Sequence, residues 1–209
     1  MTLSENKKHN IAIIKYNAGN IRSVLYAFER IGIDAFVTDD HDLIRHADKV
    51  VFPGVGEASS AMNYLKERQL DQLIKELTQP VLGICLGMQL MCVHSEENDT
   101  VCLGIFDEHV KLFKPGSSKE KVPQIGWNNI FHLKTALFNG VHEQSYIYSV
   151  HSYYASEGAQ TIATADYIHP YSAALHHNNF YGVQFHPEKS ATAGEQILKN
   201  FLALENEKK

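Results

Sequence analysis

The chain predicts an α/β fold: a mostly parallel sheet with helices on both faces, extended by antiparallel strands. Three observations carry that prediction. In the first half, short apolar runs alternate with segments of helical period, the order that builds parallel βαβ units covered on both faces. In the second half, strand-like runs follow one another with few helices between them. The 209 residues are 44% hydrophobic and 21% charged, enough for one core, and no Gly/Ser/Pro-rich linker divides them. A single domain over 1–209 is expected, with 1–9 and 205–209 as frayed ends.

The elements follow in order. IAIIKY (11–16) is the first apolar run. Asn20 is placed to cap a helix in which Ile21, Val24, Leu25, Phe28 and Ile31 recur at helical spacing, and Gly32 stops it. AFVT (35–38) and KVVF (49–52) read as the second and third strands. Residues 57–77 read as helix with a break near Leu70, and PVLGIC (80–85) reads as the fourth strand. HVKLF (109–113), WNNIFHL (127–133), SYIYSV (145–150), SAALHH (172–177) and NFYGVQF (179–185) are strand-like. Asn178-Asn179 supplies turn chemistry for a hairpin between the last two. An amphipathic helix from Ala193 to Leu204 closes the chain.

Composition narrows the function. A net charge of −5 leaves no basic footprint for nucleic acid. No apolar stretch approaches the roughly 18 residues that span a bilayer. The polar start MTLSENKKHN lacks an apolar signal core, so a cytoplasmic location is expected. Cys85, Cys92 and Cys102 are an odd, sparse set without C-x-x-C spacing, which fits neither a disulfide framework nor a structural zinc site. His176 and His177 are neighbours on a strand and point to opposite faces, so they read as surface residues. No metal or cofactor is expected.

Three stretches carry chemistry. In LGICLGMQL (82–90) a strand runs directly into a helix, and such a turn lifts Cys85 above the carboxyl edge of the sheet, where open α/β sheets bind ligands. Gly83 and Gly87 relieve crowding there, as glycines do in a serine nucleophile elbow, and the start of the next helix favours a thiolate. Taken alone, a buried core cysteine explains the stretch equally well. In GVQFHPEKS (182–190) Pro187 ends a strand and leaves His186 at its rim, with Glu188 two residues on to hold the imidazole. A capped strand end with a surface histidine is the alternative. In FPGVGEAS (52–59) a strand opens into a glycine loop whose N–H groups suit an anion or an oxyanion. A phosphate cradle competes, but the Lys-Ser/Thr ending of a P-loop is absent. Nucleophile, base with orienter, and oxyanion donors are together what acyl transfer through a thioester requires.

These stretches, with NAGNIRSV (17–24), PQIGWNNI (123–130) and YSVHSYY (148–154), resemble the class I, triad-type glutamine amidotransferases over almost the whole chain. G-x-C-x-G with F-H-P-E marks the superfamily. The PGVG loop, G-M-Q, G-W-N and H-P-E-K-S are similar to the branch that forms a heterodimer with the cyclase making imidazole glycerol phosphate and AICAR in histidine biosynthesis. The resemblance implies a flavodoxin-like fold and hydrolysis of L-glutamine to glutamate and ammonia. It implies Cys85 as nucleophile, His186 as proton shuttle and Glu188 as its orienter. Leu86 N–H with an amide of Val55 or Gly56 would form the oxyanion hole, and Gly54, Gln89, Glu97, Ser152 and Tyr153 would hold glutamine. Glu97 suits its ammonium group. Asn20, Trp127, Tyr148 and Lys189 would face the cyclase, and ammonia would be channelled to it.

One loop departs from the family pattern: D-Y-G-x-G-N becomes Lys15-Tyr16-Asn17-Ala18-Gly19-Asn20. If its first glycine has positive φ, Asn17 takes that conformation at modest cost. Rival readings are a paralogous triad glutaminase feeding another synthase, such as one amidating a sugar, a cysteine hydrolase such as a peptidase, and a non-catalytic partner-binding subunit. The glycines of PGVG also suggest a switch, in which a turned peptide plane withholds an oxyanion donor until the cyclase and its ligand dock.

Overall fold

The computed structural model describes residues 10–118 and 120–205. The expected fraying of 1–9 and 205–209 falls, apart from residue 205, outside the described residues. In chain order the elements are β1 (Ile11–Ile14), α1 (Ile21–Arg30), β2 (Ala35–Thr38), α2 (His41–Arg45), β3 (Lys49–Gly54), α3 (Ala58–Glu67), α4 (Leu70–Glu76), β4 (Val81–Cys85) and α5 (Leu86–Met91). There follow β5 (His94–Ser95), β6 (Thr100–Val101), β7 (His109–Leu112), β8 (Gln124–Phe131), β9 (Tyr146–His151), β10 (Tyr153–Ala155), β11 (Thr161–Asp166), β12 (Pro170–His177), β13 (Phe180–Val183) and α6 (Ala191–Ala203).

The parallel core runs β2-β1-β3-β4-β13, and β12 begins the antiparallel extension. Alternation along β1 shows how both faces are filled. Ile11 and Ile13 pack with Val24 and Phe28 of α1 and with Ile197 and Phe201 of α6. Ala12 and Ile14 pack with Leu65 of α3 and with Leu70 and Ile74 of α4. Phe28, like Leu65, is fully buried, and each such side chain contributes about 2–3 kcal/mol.

The long helix expected over 57–77 breaks as predicted near Leu70, where Gln69 takes φ 55. Glu57 caps the first piece by accepting the N–H groups of Ser59 and Ser60 at 2.8 Å. The Asn178-Asn179 hairpin forms, with His177 opposite Phe180. Of the expected surface pair, His177 is exposed, whereas His176 is half-buried and stacks on Tyr181 at 4.2 Å.

Two expectations need correction. Asn20 occupies the N-cap of α1, but its side chain caps nothing there. It is Asn20, at φ 70, and not Asn17, that takes the left-handed conformation in the first loop. The side chain of Asn17 instead donates to Ser60, at 3.2 Å to the carbonyl and 3.1 Å to the hydroxyl.

Because β1, β3, β4 and β13 are parallel, their carboxyl ends lie at one edge. That edge gathers the 17–20 loop, the 54–56 loop, Cys85 and the segment leading to His186. The β8–β9 hairpin covers it: the Val150 carbonyl lies 3.9 Å from Cys85 Sγ, and the Tyr148 carbonyl accepts the His186 N–H at 2.9 Å.

Candidate active site

Cys85 sits where β4 becomes α5, at φ 53 and ψ −108. A non-glycine residue there carries strain on the order of 1–3 kcal/mol, which tight surroundings must sustain. The glycines on either side make that packing possible. A Cβ at Gly87 would lie 1.7 Å from the Phe52 carbonyl oxygen, and one at Gly83 would lie 2.8 Å from the Met88 nitrogen. Helix α5 therefore meets β3 and β4 backbone to backbone, and the thiol is held at the mouth of a cavity, 5% exposed.

His186 does not sit at an open rim as the sequence suggests. Strand β13 ends at Val183, and residues 184–186 continue beneath the β8–β9 hairpin, so His186 is fully buried. Its Nδ1 lies 2.7 Å from Glu188 Oε1, and the two side chains are 1% and 0% exposed. Glu188 stands in a single helical turn, Pro187–Lys189. Asn20 Nδ2 donates to the same carboxylate oxygen and lies 3.4 Å from His186 Nδ1, while Arg30 donates to the Glu188 carbonyl at 3.2 Å. With Nδ1 so occupied, the nitrogen left for Cys85 is Nε2, which has no hydrogen-bond partner. Burial works to lower the His186 pKa, but the Cys85 sulfur and the Glu188 carboxylate outweigh it and hold the ring up to about 10.

The cavity encloses about 280 Å³, close to the small end of ligand pockets and suited to one small metabolite. Val55, Gly56, Cys85, Leu86, Gln89, Glu97, Ser152 and Tyr153 all line it. Eight of the expected residues thus share one cavity. Gly54 is absent from its lining: it lies beneath the Tyr16 hydroxyl, which a Cβ at Gly54 would strike at 2.0 Å. One oxygen of Glu97 accepts the Ala58 N–H at 2.8 Å, and burial raises its pKa against that bond.

Sequence reasoning missed Pro123, Val150, His151 and Gln184. The first three line the cavity, and Gln184, fully buried, donates to Cys85 Sγ at 3.7 Å. His151 and Gln184 lie inside quoted stretches, yet nothing in their spacing says which way they face. His151 donates from Nδ1 to the Tyr153 carbonyl at 2.7 Å, and burial pushes its pKa down to about 4.

Trp127 and Tyr148 are register partners on β8 and β9 with rings edge-on at 5.9 Å, and Lys189 Nζ lies 5.8 Å from the Tyr148 ring centre. Trp127 is 55% exposed, beside exposed Ile125 and Tyr146 on the same hairpin. Asn20 is the exception among the expected interface residues, because its amide turns inward to Glu188. Among the described residues no cluster of metal-ligating side chains exists, and no helix is long and apolar enough to cross a membrane.

The family described as glutamine amidotransferase class-I matches residues 12–204. Imidazole glycerol phosphate synthase subunit HisH of Bacteroides fragilis is 60% identical over 194 residues, covering 93% of this chain and 99% of that one. Its namesake in Bacteroides thetaiotaomicron is 57% identical with the same coverage. Among solved structures, PurLQS from Thermotoga maritima superposes with a TM-score of 0.69 at 16% identity, covering 94% of this chain and 98% of that chain, a likeness of fold.

Proposed function

The chain belongs to the class-I glutamine amidotransferases, and from that premise we propose that it is the glutaminase subunit of an imidazole glycerol phosphate synthase. The observation that carries the chemistry is the buried His186–Glu188 pair behind a cysteine held in a strained turn at a cavity mouth. In this reading Cys85 attacks the side-chain carboxamide of glutamine. His186 takes the thiol proton and returns it to the departing ammonia. Water, activated by the same ring, then hydrolyses the glutamyl thioester to glutamate. Glu188 fixes the ring and stabilises its charged form. Leu86 N–H and an amide of Val55 or Gly56 receive the oxyanion. Gln89, Glu97, Ser152 and Tyr153 hold the substrate, and Glu97 meets its ammonium group.

The relatives are named as synthase subunits, and a partner chain suits the exposed Ile125, Trp127 and Tyr146, since apolar clusters of that kind mark contact surfaces. We assign that face, with Tyr148 and Lys189, to a cyclase that receives the ammonia. The 54–56 loop fits the role of a switch. Gly56 has φ +138, and the Val55 carbonyl is held by the Gly19 N–H at 3.1 Å. Asn20 follows Gly19 in sequence, so a partner touching that loop can reach both the oxyanion side and the His186–Glu188 pair.

The test is glutamate release by the chain alone, with an imidazole-glycerol-phosphate cyclase, and with cyclase plus its ribonucleotide substrate. Turnover should rise at each step, by about a hundred- to a thousandfold overall if one oxyanion donor is being supplied. Full speed in the isolated chain would remove the switch, and no glutamate under any condition would remove the function.

A further inference from the structure

Besides His186 and the Val150 carbonyl, the Cys85 sulfur has a further polar neighbour. Gln184 lies one residue past β13, is fully buried, and donates from Nε2 to Cys85 Sγ at 3.7 Å. Its Oε1 accepts from Gln89 Nε2 at 2.9 Å, and Gln89 Nε2 also donates to the Tyr153 carbonyl at 2.9 Å. The direction of this chain is not arbitrary. A carbonyl oxygen only accepts, so Gln89 must turn its amide nitrogen toward Tyr153. The second hydrogen of that nitrogen faces Gln184, which must answer with its oxygen. The nitrogen of Gln184 is then left pointing at the sulfur. A backbone carbonyl thus sets the polarity of the whole relay, and its last link presents a donor to Cys85. Gln89 and Tyr153 line the cavity, so the relay joins its wall to the nucleophile.

We infer that Gln184 is a positioning residue that stabilises the thiolate formed when Cys85 gives up its proton and keeps the sulfur aimed into the cavity, through a hydrogen bond whose direction is fixed by Gln89 and Tyr153. The inference rests on the reading of Cys85 as nucleophile and adds a group that the triad does not contain. A donor favours a thiolate over a thiol, because hydrogen bonding to a charged form stabilises that form. The fully buried site makes the bond stronger than it would be in water.

Two substitutions test it in the full chain. Gln184→Met removes the donor while keeping an unbranched side chain of similar length. Gln184→Glu keeps an oxygen for Gln89 and replaces the donor with a second oxygen facing the sulfur. Alkylation by iodoacetamide, followed at the Cys85 peptide by mass spectrometry, reads thiolate availability directly. At pH 7 both variants should react about ten- to a hundredfold more slowly than the parent, the span expected for one hydrogen bond to a charged group. The deficit should close in strongly alkaline buffer, which a merely structural defect would not do. In Gln184→Glu, where Gln89 keeps its acceptor, kcat for glutamine should fall while KM stays within about twofold. Parent-like alkylation at pH 7 in either folded variant overturns the inference, and if Gln184→Met does not fold, Gln184→Glu decides alone. Alkylation needs no turnover, so a parent chain that alkylates readily but releases no glutamate removes the glutaminase reading and leaves Gln184 to its own result.

Discussion

Two buried histidines occupy the neighbourhood of Cys85, and they differ in almost everything except their burial. His151 ends β9 on the cavity wall, one residue beyond the Val150 carbonyl that meets the sulfur. Its Nδ1 donates to a backbone carbonyl and its Nε2 lies 3.5 Å from the Tyr171 hydroxyl. Those neighbours fix a tautomer but do little for a positive charge, so burial prevails and the ring is held down to about 4. His186 is fully buried, yet the Cys85 sulfur and the Glu188 carboxylate at its Nδ1 together hold it up to about 10. Nearness to a nucleophile therefore does not make a base. The groups on either side of the ring decide whether the imidazolium can form, and only His186 stands between a sulfur and a carboxylate.

That contrast predicts a graded series. Cys85→Ala should abolish glutamate release, while the complex with cyclase still forms product from added ammonium salt. His186→Ala should cost nearly as much, at least about a thousandfold in kcat, because members of a catalytic unit are not additive. Glu188→Gln should cost less, about a hundredfold, since the amide oxygen can still accept from Nδ1 but no longer balances its charge. His151→Asn should stay within about tenfold of the parent. A dead His151→Asn beside a working His186→Ala would invert the assignment.

The smallest effect is on stability, and its sign separates the two rings. Between pH 4 and 6.5 the unfolded chain protonates residue 151 and the folded chain does not, so stability falls as pH drops through that window. The largest loss from this ring is about 3 kcal/mol. His186 acts in the other direction. Its contribution is complete below pH 6.5 and is lost as pH rises through about 10. Urea denaturation across this range should show His151→Asn flattening the acid limb and His186→Ala the alkaline one. The same limbs in both variants would contradict the contrast.

Much of this was legible in local sequence, and the remainder was not, for a physical reason. Gly83 and Gly87 flank Cys85 at a strand-to-helix junction, and a junction is a local event that spacing reveals. The parallel strands announced themselves as apolar runs because both faces are covered. The strands β5, β6, β10 and β11 did not, because they are short or mixed and exist only through partners far along the chain. Gln184 and His151 belong to the same class: what makes them matter is a neighbour far along the chain, 99 residues away for Gln184 at Cys85 and 20 for His151 at Tyr171. Asn20 shows the limit most plainly. Its position before a helix suggested a cap, yet a left-handed backbone turns its amide to a carboxylate 168 residues downstream.

Whether Cys85 carries the glutamyl group is read most directly by acid-quenching the cyclase complex during glutamine turnover and weighing the intact chain. A glutamyl adduct on the Cys85 peptide, cleared by hydroxylamine and absent from Cys85→Ala, is the result predicted. Steady glutamate release with no adduct at any quench time, undiminished in Cys85→Ala, would contradict it.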